Sequence, residues 1–171
     1  MNNIERTIIT AILLFAPTFA SCASFQKIIQ ASYPGFRILS EDDFEPYVLH
    51  SSTSPAIVEG RFRGSELDFA ALIRSTKSKP YRNTSEMGFD MKVVVCSMKK
   101  PYFCQALMEF DIPGRYQSQI TQAPNDKGTL CGPEASKAGM PPELVTITNG
   151  NSGIQFLFRK GKFSKCYEEG E

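Results

Sequence analysis

The stretch VEGRFRGSELDFAALI, Val58 to Ile73, decides how this chain is read. Two apolar, strand-like runs flank a short charged centre. Glycine at the first central position suits a type II′ turn, so Gly64-Ser65 predicts a two-residue hairpin connection. Counting outward, Phe62 faces Leu67, Gly60 faces Phe69, Val58 faces Ala71 and Ala56 faces Ile73. Side chains alternate along a strand, so these residues share one side. The other side opposes Arg63 with Glu66, Arg61 with Asp68 and Ile57 with Leu72. Opposed charges of this kind contribute roughly 0.2–1 kcal/mol each, and a slip of one residue would destroy the pattern. Gly64, Arg61, Arg63, Glu66 and Asp68 are thus expected as a turn and its cross-strand pairs, not as a ligand site.

Two further hairpins follow downstream. Met91 to Phe110 turns near Lys99-Lys100-Pro101. Centred on Lys100, it opposes Cys96 with Cys104, Val94 with Ala106 and Lys92 with Met108. Directly opposed strand residues meet the Cα separation a disulfide needs, about 7 Å at most. The expected bridges are therefore Cys96–Cys104 and, by remainder, Cys131–Cys166. Near the C-terminus, Asn149 to Gly153 and Lys160-Gly161 are turn signals. A turn at Lys160-Gly161 opposes Phe158 with Phe163 and Ile154 with Tyr167. Between these units, Asp111 to Glu143 is rich in Pro, Gly and polar residues. Tyr116 to Thr121 is expected as an edge strand, Pro133 to Ala138 as a helical turn, and Cys131 as a tether for the segment. Ahead of the first hairpin, Phe25, Ile28 and Ile29 predict a short helix over Ser24 to Ser32. Phe36 to Leu39 predicts a strand, and Ser40 to Glu45 a loop or single helical turn with Ser40 as cap.

Residues 1–23 read as an export signal. The apolar run from Ile8 to Ala16 is broken by Pro17 and followed by small residues at Ala20, Ser21 and Ala23. It is shorter than the roughly 20 residues that span a bilayer and fits an export segment. Two readings of its end stand side by side. Small residues around Cys22 suit a general signal peptidase, whereas Phe19-Ala20-Ser21-Cys22 resembles a lipoprotein box that would place a lipid on Cys22. The four remaining cysteines agree with an oxidising compartment. The expected location is the periplasm or the membrane surface, with residues 24–171 as one domain of adequate size for a core.

Composition narrows the function classes. Lys plus Arg total 19 against 18 Asp plus Glu, interspersed. Nucleic-acid binders normally show a basic stripe instead. The cysteine spacings are not those of zinc sites, and His50 is the sole histidine. No P-loop, dinucleotide fingerprint or nucleophile elbow is present. The acidic group Glu41, Asp42, Asp43 and Glu45 reads as a solvated loop. Neither a metal nor a cofactor is expected. Asn83-Thr84-Ser85 matches a glycosylation sequon, relevant only in a eukaryotic host.

The frame Gly60-x-Phe62-x-Gly64, with the run Asp68 to Leu72, resembles the hairpins of exported bacterial proteins with FG-GAP or integrin-like calcium loops. Tyr33 to Leu39 and Gly153 to Phe163 resemble the flanking parts of such proteins. The resemblance implies a calcium loop in which Arg61 and Arg63 occupy the first two ligand positions, with Ser65 near the third. Calcium requires six to eight oxygen ligands, so the scaffold is expected without the ion.

The expected fold is a single α+β domain, mainly antiparallel β-hairpins with a short N-terminal helix on the sheet. The expected function is a non-enzymatic envelope protein that binds another macromolecule, as an inhibitor, immunity or accessory protein does. The alternative is a cell-wall or sugar hydrolase using dispersed carboxylates, although no two carboxylates are singled out by sequence.

Overall fold

The computed structural model describes residues 20–51, 54–82, 84–124, 131, 141, 143–149 and 152–167. The part of the expected export signal before residue 20, the expected helical turn at 133–138, Asn83 of the sequon and the residues after 167 lie outside them. The described chain is mostly antiparallel β-sheet with two short helices. Helix α1 spans Ala20–Ser32, β1 Phe36–Ile38, α2 Pro46–Ser51, β2 Ile57–Gly60, β3 Asp68–Ser75 and β4 Lys79–Pro80. Strands β5 Met87–Ser97, β6 Cys104–Pro113 and β7 Gln119–Pro124 follow, then β8 Glu143–Asn149, β9 Ser152–Arg159 and β10 Lys162–Tyr167. Helix α1 begins four residues earlier than expected, so the 23/24 boundary falls within it.

Six strands form the main sheet. Strand β5 pairs with β3 and β4 on one edge and with β6 on the other, while β1 and β2 share the far edge of β3. The second sheet runs β10-β9-β8-β7, so β7 is the edge strand expected near this position. On one face of the main sheet, the Phe25 ring of α1 stacks on Phe69 at 4.5 Å. On the other, Met108 shares a small cavity with Ile147 and Ile154 of the second sheet. Ile120, Val145, Ile147 and Phe156 of that sheet join Phe69, Leu72 and Val93 in one continuous core. Strands β3 and β5 therefore lie between two layers. Their runs FAALI and VVVC are fully buried, which is why they are continuously apolar and do not alternate. Each large side chain so buried contributes roughly 1.5–3 kcal/mol.

Burial on both faces explains where the first hairpin departs from expectation. Gly60 pairs with Asp68 and Val58 with Ala70, one residue off the predicted register, and residues 61–67 form the connection. Phe62 leaves the strand and is wholly buried. Its ring passes beneath Gly60, where a Cβ would stand 2.5 Å from Phe62 Cζ and 2.7 Å from Glu143 Oε2. That close approach requires glycine at 60, while the backbone φ of +129° at Gly64 requires it at the turn. The predicted pairs Arg63–Glu66 and Arg61–Asp68 are consequently replaced. Arg63 binds Asp68, and Glu66 binds Lys99.

The other hairpins hold their predicted pairs more closely. Cys96 faces Cys104 and Val94 faces Ala106, as counted from Lys100. A bulge then passes over Leu107, so Lys92 faces Glu109, not Met108. Phe158 faces Phe163 and Ile154 faces Tyr167. Lys160 and Gly161 have φ of 50° and 80°, the pattern of a type I′ turn. Both expected disulfides are present, Cys96–Cys104 and Cys131–Cys166. Cys131 packs against Leu144 and Leu157, fixing one point of its long segment to the second sheet.

Candidate functional site

Strand β5 carries two contrasting ends. At its C-terminal end, the Cys96–Cys104 bridge closes the turn SMKKPYF, residues 97–103, into a short loop. The 61–67 connection lies against it. The Met98 N–H donates to the Leu67 carbonyl at 3.4 Å. Lys99 Nζ meets Glu66 Oε1 at 3.0 Å, and the Arg63 guanidinium sits 5.9 Å from the Phe103 ring centre. Between the loops lies an open cleft of ≈ 340 Å³, lined by Arg63, Ser65, Glu66, Ser97, Pro101 and Phe103, with Asp68 at its base.

Beneath this surface the loops are held by charge. Asp68 is only 2% exposed. Arg63 donates to it from Nη2 at 2.6 Å and from Nε and its own backbone N–H at 3.2 Å. A buried carboxylate is tolerated only when so satisfied. Arg61 contributes its backbone N–H to Glu143 of the second sheet, while its side chain is exposed. Above this base the surface is mixed, with Ser65, Glu66, Lys99 and Lys100 exposed beside apolar side chains. Leu67, Tyr102 and Phe103 are 45%, 43% and 58% exposed.

The opposite end of β5 is a field of charges. Asp90 faces Asp111 across the strands, and Lys92 faces Glu109. With Phe36, Met91 and Phe110 they line a second open cleft of ≈ 420 Å³. Lysines answer most of the negative charge. Lys79 Nζ lies 2.5 Å from Asp90 Oδ1, and Lys92 Nζ 2.6 Å from Glu109 Oε1. The hydrogen bond to Asp90 holds the Lys79 ammonium above its ordinary pKa. Burial, with help from Glu109, pushes up the Tyr33 hydroxyl beside them. Asp90 and Asp111 are a carboxylate pairing that the sequence did not single out. No local motif joins Asp90 to Asp111; only the sheet register does.

Comparison with models of known protein families, with curated proteins and with solved structures returned no match.

The remaining candidates separate. Among Glu41, Asp42, Asp43 and Glu45, only Asp43 is buried, which corrects the reading of the group as a solvated loop. Arg37 grips it with hydrogen bonds of 2.6 and 2.8 Å, and Arg74 Nη1 forms an ion pair with it at 2.7 Å. Ser40 adds its N–H and hydroxyl. Burial by itself would raise the Asp43 pKa, yet the bonds from Arg37 and Ser40 hold it below the usual carboxylate value. Asp43 is therefore a structural anchor between the 41–43 turn and β3. His50 is exposed in the last turn of α2. Tyr116 packs between the Phe44 and Phe110 rings, and its burial pushes its pKa up to about 12. Among the described residues, no group of three His, Cys, Asp or Glu side chains is placed to hold a metal. Cys22 lies in the first turn of α1.

Proposed function

We propose that this chain is a non-enzymatic exported envelope protein, periplasmic or lipid-anchored at Cys22, that docks onto another component of the envelope. The observation that carries this reading is the disulfide-closed loop at 97–103, with Tyr102 and Phe103 exposed on a base fixed by Arg63–Asp68. Bracing matters because a rigid loop loses less conformational freedom on binding. Disulfide pairing of all four downstream cysteines supports export. Inhibitor, immunity and accessory proteins share these requirements. In the same reading, the FG-GAP-like frame is a scaffold in which Arg63–Asp68 stands where an ion-binding loop would be.

To test it, immobilised full chain is incubated with an envelope fraction of its host. A defined component should be retained, and Tyr102→Ser/Phe103→Ser should reduce retention at least five-fold while Met87→Ser does not. Equal retention by all three proteins would overturn the reading. The hydrolase alternative rests on one observation, the facing of Asp90 and Asp111. It predicts turnover of peptidoglycan or a glycoside that Asp90→Asn abolishes; such turnover would replace the docking reading.

A further inference from the structure

Strand β6 is the last strand of the main sheet on its side. It runs 10 residues, and among the described residues only β5 pairs with it. The register fixes which of its backbone groups face outward. In an antiparallel pair, opposed residues alternate between those that exchange hydrogen bonds and those that do not, and the second kind stand closer. The Ser97 N–H donates to the Phe103 carbonyl at 2.9 Å, and the next pair, Cys96–Cys104, has a Cα separation of 4.0 Å. Cys104 and Ala106 therefore turn their backbone groups away from β5. Past the bulge, Glu109 and Asp111 do the same, because they face Lys92 and Asp90, two and four residues along β5 from Val94. Natural sheet edges are blunted by bulges, prolines or a covering group. The upstream part of β6 is blunted in this way, since the Ala106 backbone is hydrogen-bonded to Tyr33 and the bulge follows at Leu107. Downstream, Pro113 has no N–H to offer. Between them, Glu109 and Asp111 point N–H and carbonyl groups outward with no backbone partner among the described residues.

The side chains beside this window set the chemistry of what fits it. Phe110 and Ile112 are half-buried on the side of the second sheet, where Phe110 meets the Tyr116 ring at 5.6 Å. Glu109 and Asp111 turn to the other face, into the open cleft of ≈ 420 Å³ that they share with Phe36, Asp90 and Lys92. Lys79 is taken by Asp90, and Lys92 by Glu109. Of the three acids, only Asp111 has no ion pair among the described residues, and Arg115, past the Gly114 turn, does not supply one. A second copy of the chain is a poor match. Two-fold pairing of β6 with itself in this window sets acid opposite acid, and like charges directly opposed are destabilising. A strand with a basic residue opposite Asp111 would instead send a long cationic side chain into the cleft beside Phe36. Apolar residues on either side of it would cover Phe110 and Ile112.

We infer that the outer edge of β6 at Glu109–Asp111 accepts an extended segment of another protein in which basic residues alternate with apolar ones. Strand addition of this kind draws affinity from main-chain hydrogen bonds and specificity from alternate side chains. The site stands apart from the 97–103 loop and does not rest on its reading. The probe is a fluorescent peptide alternating lysine and valine, titrated with the full chain and read by anisotropy. It should bind at least three-fold more tightly than a peptide alternating glutamate and valine. It should exceed by as much the lysine peptide with methylated backbone nitrogens, which cannot pair with β6. Glu109→Pro removes an outward N–H and spares the ladder with β5, so it should weaken binding at least three-fold, and Glu109→Gln should do so less. Asp111→Lys, which keeps its N–H, should also weaken it at least three-fold. Tyr102→Ser/Phe103→Ser should leave it unchanged. Circular dichroism matching the parent chain establishes that the variants fold. Equal binding of the three peptides, or full binding by both Glu109→Pro and Asp111→Lys, would overturn the inference. Loss of binding in the loop variant would move the site to the loop and overturn it as well. So would a dimer of the chain, seen by sedimentation, that Glu109→Pro dissolves.

Discussion

Both ends of β5 carry a wet lysine–glutamate pair, but only the loop end also carries a buried ion pair. At the loop end, the Arg63–Asp68 pair is sunk beneath the surface, 19% and 2% exposed, under the wet Lys99–Glu66 pair and the apolar Leu67, Tyr102 and Phe103. At the other end, Glu109 of the Lys92–Glu109 pair is 63% exposed, and Asp90 and Asp111 line an open cleft. A buried pair is costly to break because one charge is left unanswered. A wet pair is cheap to break because water replaces the partner. One end is thus a rigid platform, and the other a solvated rim.

The largest effect that would break this contrast is at the platform. Arg63→Ala should destabilise the chain by about 3–5 kcal/mol in urea unfolding, the range for orphaning a buried charge. Arg63→Met/Asp68→Leu should recover most of it. A loss under about 1 kcal/mol for Arg63→Ala would mean that Asp68 finds water. Next comes the bridge. Cys96→Ala/Cys104→Ala should cost about 2.5 kcal/mol, and Cys131→Ala/Cys166→Ala about 4 kcal/mol because it closes a longer loop. Only the first should weaken docking, as read by retention of the envelope component. At the rim, Lys92→Ala should cost about 1 kcal/mol or less, as read by the same urea titration.

A graded effect comes from Asp43, away from both ends. Its folded pKa lies below its unfolded value, near 3.9. It therefore binds fewer protons folded than unfolded, and its contribution is present above that value. Stability should fall as pH drops below about 5 and keep falling until the folded pKa is passed. Asp43→Asn should be less stable at pH 7 and show a flatter decline between pH 5 and 3. An unchanged slope would show that other carboxylates govern acid unfolding.

Much of this arrangement was legible in the residues, for reasons that differ by element. Cys96 and Cys104 could be placed opposite each other because covalent geometry admits few separations. The Lys160-Gly161 turn declared itself because two adjacent residues must take positive φ. The first hairpin misled because the charges of RFRGSELD were matched for cross-strand pairing without allowing for Phe62 to leave the strand. With β3 buried on both faces, alternation no longer marks register. The bulge at Leu107 has no signal of its own in the residues, and it alone turns Glu109 toward Lys92. The proposed docking loop was half visible. KKPYF between two cysteines announced a braced turn, but the exposure of Tyr102 and Phe103 depends on the 61–67 loop lying below them. The Asp90–Asp111 facing needed the whole register.

The contrast between the two ends is tested most directly by site-specific photo-crosslinking of the full chain in its host envelope. A photoreactive phenylalanine analogue is placed at Phe103 in one protein and at Met87, 51% exposed at the other end of β5, in a second. Adducts formed from position 103 and absent from 87 are the predicted result. Adducts from 87 with none from 103 would contradict the account.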